Sequence, residues 1–210
     1  MPVDTYTGCA EHATMPLIYT RFFHKAFRDM GVTKGPEPML QLRNQGHILG
    51  PDGFRMSKSR GNVVDPDEQV RAYGADTVRA YLMFGYRWAE GGPWDPDNIQ
   101  GVVRWLNRVW TLVLETGSAA GKTGEAEAER ALLRKAHLAI RQVTHDLEHF
   151  EFNTVVSALM ELTNALIEAR EGGLAGTPSY REATKTLVSL MSPVTPHVAG
   201  VQWVHGALEK

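Results

Sequence analysis

Near position 95 the hydrophobic pattern of this 210-residue chain changes, and the change limits the folds open to it. Before that point short β-rich runs alternate with helical stretches. After it, apolar residues recur at the three- and four-residue spacing of helices. Asp95-Pro96-Asp97 opens a helix expected to reach about Thr116, with Val102, Trp105, Leu106, Val109 and Val113 on one face, so both nearby tryptophans are expected in the core. Further helices are expected over 126–149, 153–171 and 178–191, and Thr195-Pro196 begins a last one. A Gly/Ala/Ser/Thr linker at 117–124 and the break "EGGLAGTP" at 171–178 separate them. Antiparallel helices with such connections make a bundle.

The earlier part reads differently. "PVDTYTG" (2–8) and "GHILG" (46–50) are strand candidates, and "MPLIYTRFFHKAFRDMG" (15–31) is a helix whose apolar stripe runs Met15, Ile18, Phe22, Ala26 and Met30. Strand, helix, strand is one crossover of a parallel α/β sheet. One crossover cannot cover both faces of its sheet, so the sheet is expected to be incomplete. Asp65-Pro66-Asp67-Glu68 then supplies a capping aspartate, a proline at the first helical position and a glutamate three residues after the cap, and Asp76 is the expected cap of the next helix. The fold class is α/β followed by all-α, divided as 1–64, a helical junction at 65–94, and a bundle at 95–210.

A net charge of -2 and a pI near 6.4 give no global attraction to nucleic acid, so any RNA contact must come from local basic patches. The single cysteine, Cys9, rules out an internal disulfide and a cysteine-rich zinc site. No eighteen-residue apolar run and no signal-peptide pattern is present, which points to the cytoplasm. "TGSAAGKTG" (116–124) imitates a phosphate-binding loop but has only three residues between Gly117 and Gly121, and a helix precedes it; a flexible linker is expected. His145 and His149 lie four apart but have no third ligand, so no protein-bound metal is expected.

One motif stands apart. "GPDGFRMSKSRGN" (50–62) places Arg55-Met56-Ser57-Lys58-Ser59 between Gly53 and Gly61. Average residue frequencies make such a pentamer a chance event at roughly one in ten thousand for a chain of this size. The glycines permit positive φ, the small serines leave backbone amides accessible, and Lys58 offers a compact ammonium for phosphate oxygens. Adenylyl transfer is mostly positioning plus stabilisation of charge on departing pyrophosphate. A mobile lysine that closes at that moment raises turnover.

This string resembles the lysine-methionine-serine-lysine-serine signature of class I aminoacyl-tRNA synthetases. "MPVDTYTGCAEHATMPLIYTRFFHKAFRDMG", "RMSKSRGNVVDPDEQVRAYGADTVRAYLMF", "GPWDPDNIQGVVRWLNRVW", "FNTVVSALMELTNAL" and "LMSPVTPHVA" are similar, in order, to the later half of bacterial leucyl-tRNA synthetases. The resemblance implies the later part of a Rossmann-like catalytic domain joined to an anticodon-binding type of helix bundle. It implies leucine activation with ATP and magnesium as the substrate complex, and transfer to tRNA(Leu). Lys58 would contact ATP phosphates, with Arg55, Met56, Ser57 and Ser59 completing the loop; Gly8 and Glu11 would lie against the adenosine, Glu11 on the ribose hydroxyls, and His12 would line the leucine pocket. Arg104 and Arg108, one turn apart, either meet tRNA phosphates or form a solvated face.

Departures from the family pattern leave alternatives open. The ATP-gripping signature of the first catalytic half is not found, and "HILG" (47–50) has the wrong order to supply it. Editing domain and most of the C-terminal appendage are likewise missing from the pattern. Cys9 stands where the family generally has a glycine, and Pro16 where histidine is common, so the helix is expected to start near Thr14 or Met15. The chain then reads as a ligase fragment or split subunit completed by an N-terminal half in trans, as a non-catalytic tRNA- or partner-binding remnant, or as a truncated product with an exposed apolar sheet edge.

Overall fold

The computed structural model describes residues 2–118 and 124–205, with backbone only for 10–13, 16, 117, 118, 204 and 205. Two units are present: Met1–Val63 with Arg87–Trp94, and Val64–Tyr86 with Asp95–Lys210.

In the first unit, β1 (Val3–Cys9) runs directly into α1 (Ala10–Asp29). Pairing along β1 persists to Cys9, opposite Gln45, and Cys9 is itself the extended N-cap residue, at φ -68° and ψ 142°. No turn intervenes, so α1 begins before the Thr14–Met15 start expected from the sequence. Pro16 therefore lies inside the helix, where the absence of its N–H removes the bond to the His12 carbonyl at a cost of about 3 kcal/mol.

The parallel partner of β1 is β2 (Met39–Gln45), which the sequence pattern did not reveal. Its central alternation, Leu40 and Leu42 against Gln41 and Arg43, competes with flanking polar residues. The "GHILG" stretch becomes β3 (His47–Leu49) and pairs in parallel with β4 (Gly91–Pro93), a second two-stranded sheet. At Gly91, φ is 68° and a Cβ would lie 2.1 Å from the His47 carbonyl oxygen, so only glycine fits this close approach.

The second unit is helical. Asp65 accepts the Asp67 N–H at 2.9 Å and caps α2 (Pro66–Tyr73), with Pro66 at its start. Asp76 does not cap its own helix, α3 (Ala75–Phe84), whose N-cap is Gly74. Its buried carboxylate instead accepts the Val198 N–H at 2.6 Å and His197 Nδ1–H at 2.8 Å, capping α8 (Pro196–His205) from a distance of more than a hundred residues in sequence.

Asp95 takes the Asp97 N–H and the Asn98 side-chain N–H in a turn that precedes α4 (Ile99–Ser118). The Tyr81 hydroxyl fastens that turn, accepting the Asp95 N–H at 2.9 Å and donating to the Asp95 carbonyl at 3.0 Å. Tyr86 completes the cluster through the Tyr81 hydroxyl, and burial pushes its own phenol above the ordinary range.

The bundle proper joins α4 to α5 (Ala126–His149), α6 (Phe152–Ala169) and α7 (Pro178–Met191), with a π-type turn at Arg170–Leu174. Val102, Val109, Leu112, Leu159, Leu166, Leu187 and Met191 are fully buried between them. Trp105 is buried as expected, and its indole donates to Thr163 Oγ1 at 3.1 Å, whose hydroxyl passes on to the Leu159 carbonyl. Trp110 departs from the core expectation: it lies on the outer side of α4 and is exposed. The expected linker falls largely on 119–123, outside the described residues. Among the described residues no helix is long and apolar enough to cross a membrane.

Candidate functional site

The signature loop leaves the sheet at the end of β3. Leu49 bridges Arg55 antiparallel, and the Gly50 N–H meets the Phe54 carbonyl at 2.7 Å, closing a turn that has Gly53 at φ 76°. Lys58–Arg60 then form one 3-10 turn, which Gly61 ends at φ 68°. A side chain at either glycine would meet the left-handed conformation that L-residues resist.

Asn62 holds the two limbs together. Its Oδ1 accepts the Ser57 N–H at 2.9 Å, while Nδ2 donates to both Asp52 oxygens at 2.9 and 3.0 Å and to the Arg55 carbonyl at 3.3 Å. Asp52 also accepts the Phe54 N–H at 3.1 Å. The Asn62 amide, followed by that N–H, holds the Asp52 carboxyl below its ordinary value. Arg60 lies 4.7 Å over the Phe54 ring, and the Ser57 and Ser59 hydroxyls bond at 2.8 Å. Lys58 is exposed and has no ion pair among the described residues. The loop is thus fixed at its base and presents its ammonium to solvent.

Gly8 and Cys9 end β1, where ligands of open α/β sheets bind. Among the described residues a Cβ on Gly8 would meet the Tyr6 ring alone, at 3.9 Å. Cys9 Sγ lies 2.9 Å from His47 Nε2, which ties the end of β1 to the strand feeding the loop. Glu11 and His12 occupy the first turn of α1, and their side chains lie outside what the structure describes.

On the bundle, Arg104 is exposed, while Arg108 donates to Asn164 Oδ1 at 2.6 Å. Asn107, Arg108, Thr111, Ile167 and Arg170 line a cleft of about 390 Å³, and Arg170 also pairs with Glu115. His145 and His149 stack at 4.1 Å, and His149 Nδ1–H donates to the His145 carbonyl. Among the described residues no group of three His, Cys, Asp or Glu is placed to hold a metal ion. Sequence reasoning missed Asp52, Asn62 and Arg170. The Gly61-Asn62 pair directly behind the signature was the available signal for the first two; Arg170 carried none.

Residues 19–89 match the family described as tRNA synthetases class I (I, L, M and V), and residues 129–209 match the anticodon-binding domain of tRNA ligase. The chain thus carries two domains of class I aminoacyl-tRNA synthetase type and corresponds to a C-terminal region of the leucine-specific members. It is 50% identical over 203 residues to a leucine–tRNA ligase of Herpetosiphon aurantiacus, covering 97% of this chain and 25% of that protein. A leucine–tRNA ligase of Deinococcus radiodurans is 51% identical over 204 residues, covering 97% and 24%. The chain therefore spans about a quarter of the length of these relatives. A LeuRS of Agrobacterium radiobacter, solved as a ternary complex with tRNA and LeuAMS, superposes with a TM-score of 0.88 at 37% identity, over 98% of this chain and 28% of that one. A methionyl-tRNA synthetase of Mycobacterium tuberculosis, at 20% identity and a TM-score of 0.73, covers 96% of this chain and 43% of that one and shares the fold.

Proposed function

We propose that this chain supplies the phosphate side of the adenylation site and the tRNA-docking bundle of a leucine–tRNA ligase. In this reading leucine and ATP, carried as its magnesium complex, give leucyl-adenylate and pyrophosphate, and the leucyl group passes to the 3′ end of tRNA(Leu). The observation that carries it is the loop itself: Asn62 and Asp52 fasten its base while Lys58 stays exposed. Lys58 is then available to neutralise charge on the departing pyrophosphate, with Arg55, Met56, Ser57 and Ser59 framing the phosphates. Gly8 leaves room for adenosine, Glu11 accepts from its ribose hydroxyls, and His12 lines the leucine pocket. Catalysis requires the remaining catalytic segments, in the same polypeptide or in trans.

Leucine-dependent ATP–pyrophosphate exchange tests this in an assembly with those segments present. Lys58→Ala is expected to lower the exchange rate on the order of 100- to 1,000-fold. An unchanged rate overturns the role of Lys58, and no exchange in a folded assembly overturns the ligase reading. Arg104 and Arg108, both exposed and one turn apart on α4, favour a second reading, tRNA binding without catalysis. That reading predicts tRNA affinity insensitive to Lys58→Ala and weakened by Arg104→Ala with Arg108→Ala.

A further inference from the structure

Cys9 and His47 come from two different sheets and meet side chain to side chain. Cys9 ends β1, opposite Gln45 in the β1–β2 ladder, and His47 opens β3, opposite Gly91 of β4. The Cys9 sulfur lies 2.9 Å from His47 Nε2 and 3.7 Å from Nδ1 of the same ring. Strand pairing fixes both backbones. The residue before His47 is held as well, because the Gly46 N–H bonds the Trp88 carbonyl at 2.8 Å.

A cysteine that merely packs as a small apolar side chain is buried and inert. Here Cys9 and His47 are both half-buried, which leaves each partly open to solvent. Cys9 is also the N-cap residue of α1, yet its side chain makes no capping bond, so the thiol is not occupied by the helix. The twenty-residue helix instead turns the positive end of its dipole toward the sulfur, which favours negative charge as it develops there. Sulfur alone would carry little; the imidazole beside it supplies a proton acceptor. A thiol within hydrogen-bond reach of an imidazole, both on fixed elements, is the arrangement that activates a cysteine nucleophile.

We propose that Cys9 and His47 form a thiol-modification site that takes low-molecular-weight disulfides. With the ring proton on Nδ1, His47 Nε2 accepts the Cys9 thiol proton as Sγ attacks one sulfur of the disulfide. A bond forms between Cys9 Sγ and that sulfur while the S–S bond of the reagent breaks. The second sulfur leaves as a thiolate and takes the proton from His47. Excess thiol reverses the exchange, so the modification acts as a switch. Its consequence for catalysis rests on the ligase reading: Cys9 follows Gly8 at the end of β1, where adenosine would lie, so a group bound to it obstructs ATP.

Cys9 is the sole cysteine of the chain, so all label reports this site. The full chain treated with glutathione disulfide and followed by mass spectrometry provides the test. One glutathione per chain is expected, released by dithiothreitol, at a rate at least about tenfold above that of the same chain unfolded in urea. His47→Gln, which keeps a polar side chain but no base, should slow the folded chain at least about tenfold. A folded chain that reacts no faster than the unfolded one overturns the proposal, as does a rate indifferent to His47→Gln. If His47→Gln does not fold, His47→Met takes its place, and the folded-to-unfolded ratio of the unaltered chain still decides. In an assembly with the remaining catalytic segments, the modification should stop pyrophosphate exchange until dithiothreitol restores it. Rapid, His47-dependent labelling in an assembly that shows no exchange even when reduced upholds the site and sinks the ligase reading. Exchange that continues in the fully labelled assembly overturns the switch.

Discussion

The bundle and the α/β unit sit in one chain and obey opposite rules of burial. In the bundle, residues such as Val109, Leu159 and Leu187 are wholly buried, and the Trp105 indole N–H finds its partner in Thr163. In the α/β unit the large apolar side chains of α1 and β2 face outward. Helices joined by short connections can bury their stripes on one another, whereas a single parallel crossover has one helix for two sheet faces. The difference teaches that apolar burial among the described residues is concentrated in the bundle.

Removing core mass should break this comparison most directly. Leu159→Ala is expected to destabilise the chain by about 2 to 5 kcal/mol in denaturant unfolding. Next comes Asp76→Ala, which deprives the start of α8 of a charged acceptor for two N–H groups and should cost about 1.5 to 3 kcal/mol, read by the same melts. Trp105→Phe keeps most of the ring but loses the bond to Thr163, at about 1 kcal/mol. Phe22→Ala should move the melt by no more than about 0.5 kcal/mol, because its side chain is largely exposed. If Phe22→Ala cost as much as Leu159→Ala, the contrast would fail.

The smallest global effect is expected at the loop. Asn62→Ala should leave the melt unchanged and speed amide exchange at Ser57, whose N–H it releases. Acid sharpens the same point. Asp52 has its carboxyl held low by Asn62 and the Phe54 N–H, so its anchoring is intact above the ordinary carboxylate range and is lost as pH falls through the depressed value. Protection of the Phe54 amide, relative to its intrinsic exchange rate, should therefore fall only as pH drops through the depressed Asp52 value. Asp146 in the bundle follows the same sign: burial alone would raise it, but hydrogen bonds from Thr154, Gln142 and His145 outweigh burial. Bundle stability should accordingly decline as pH falls through the Asp146 value, measured by thermal melts across acid pH.

Much of this architecture is legible in the residues. Helix starts at Asp65-Pro66 and Thr177-Pro178, the stripe of Val102 to Val113, and the hinge glycines of the signature loop all depend on neighbours within a few positions. Such local chemistry acts wherever the chain goes. Other features depend on which distant element arrives. Asp76 has the local credentials of a cap, yet its carboxylate serves a helix more than a hundred residues later. Asn62 reads as an ordinary turn residue until Asp52 and Ser57 come within its reach.

By itself the sequence determined an α/β segment followed by a helix bundle, together with a glycine-bounded lysine loop. Spacing, capping and backbone freedom are carried by the residues themselves. Tertiary structure alone decided that β2 pairs with β1, that Asn62 fastens the loop, and that the stripe of α1 faces away from its own sheet. A helical period marks which residues share a face, but not whether that face meets this chain's core or another segment, because burial is a property of the neighbours.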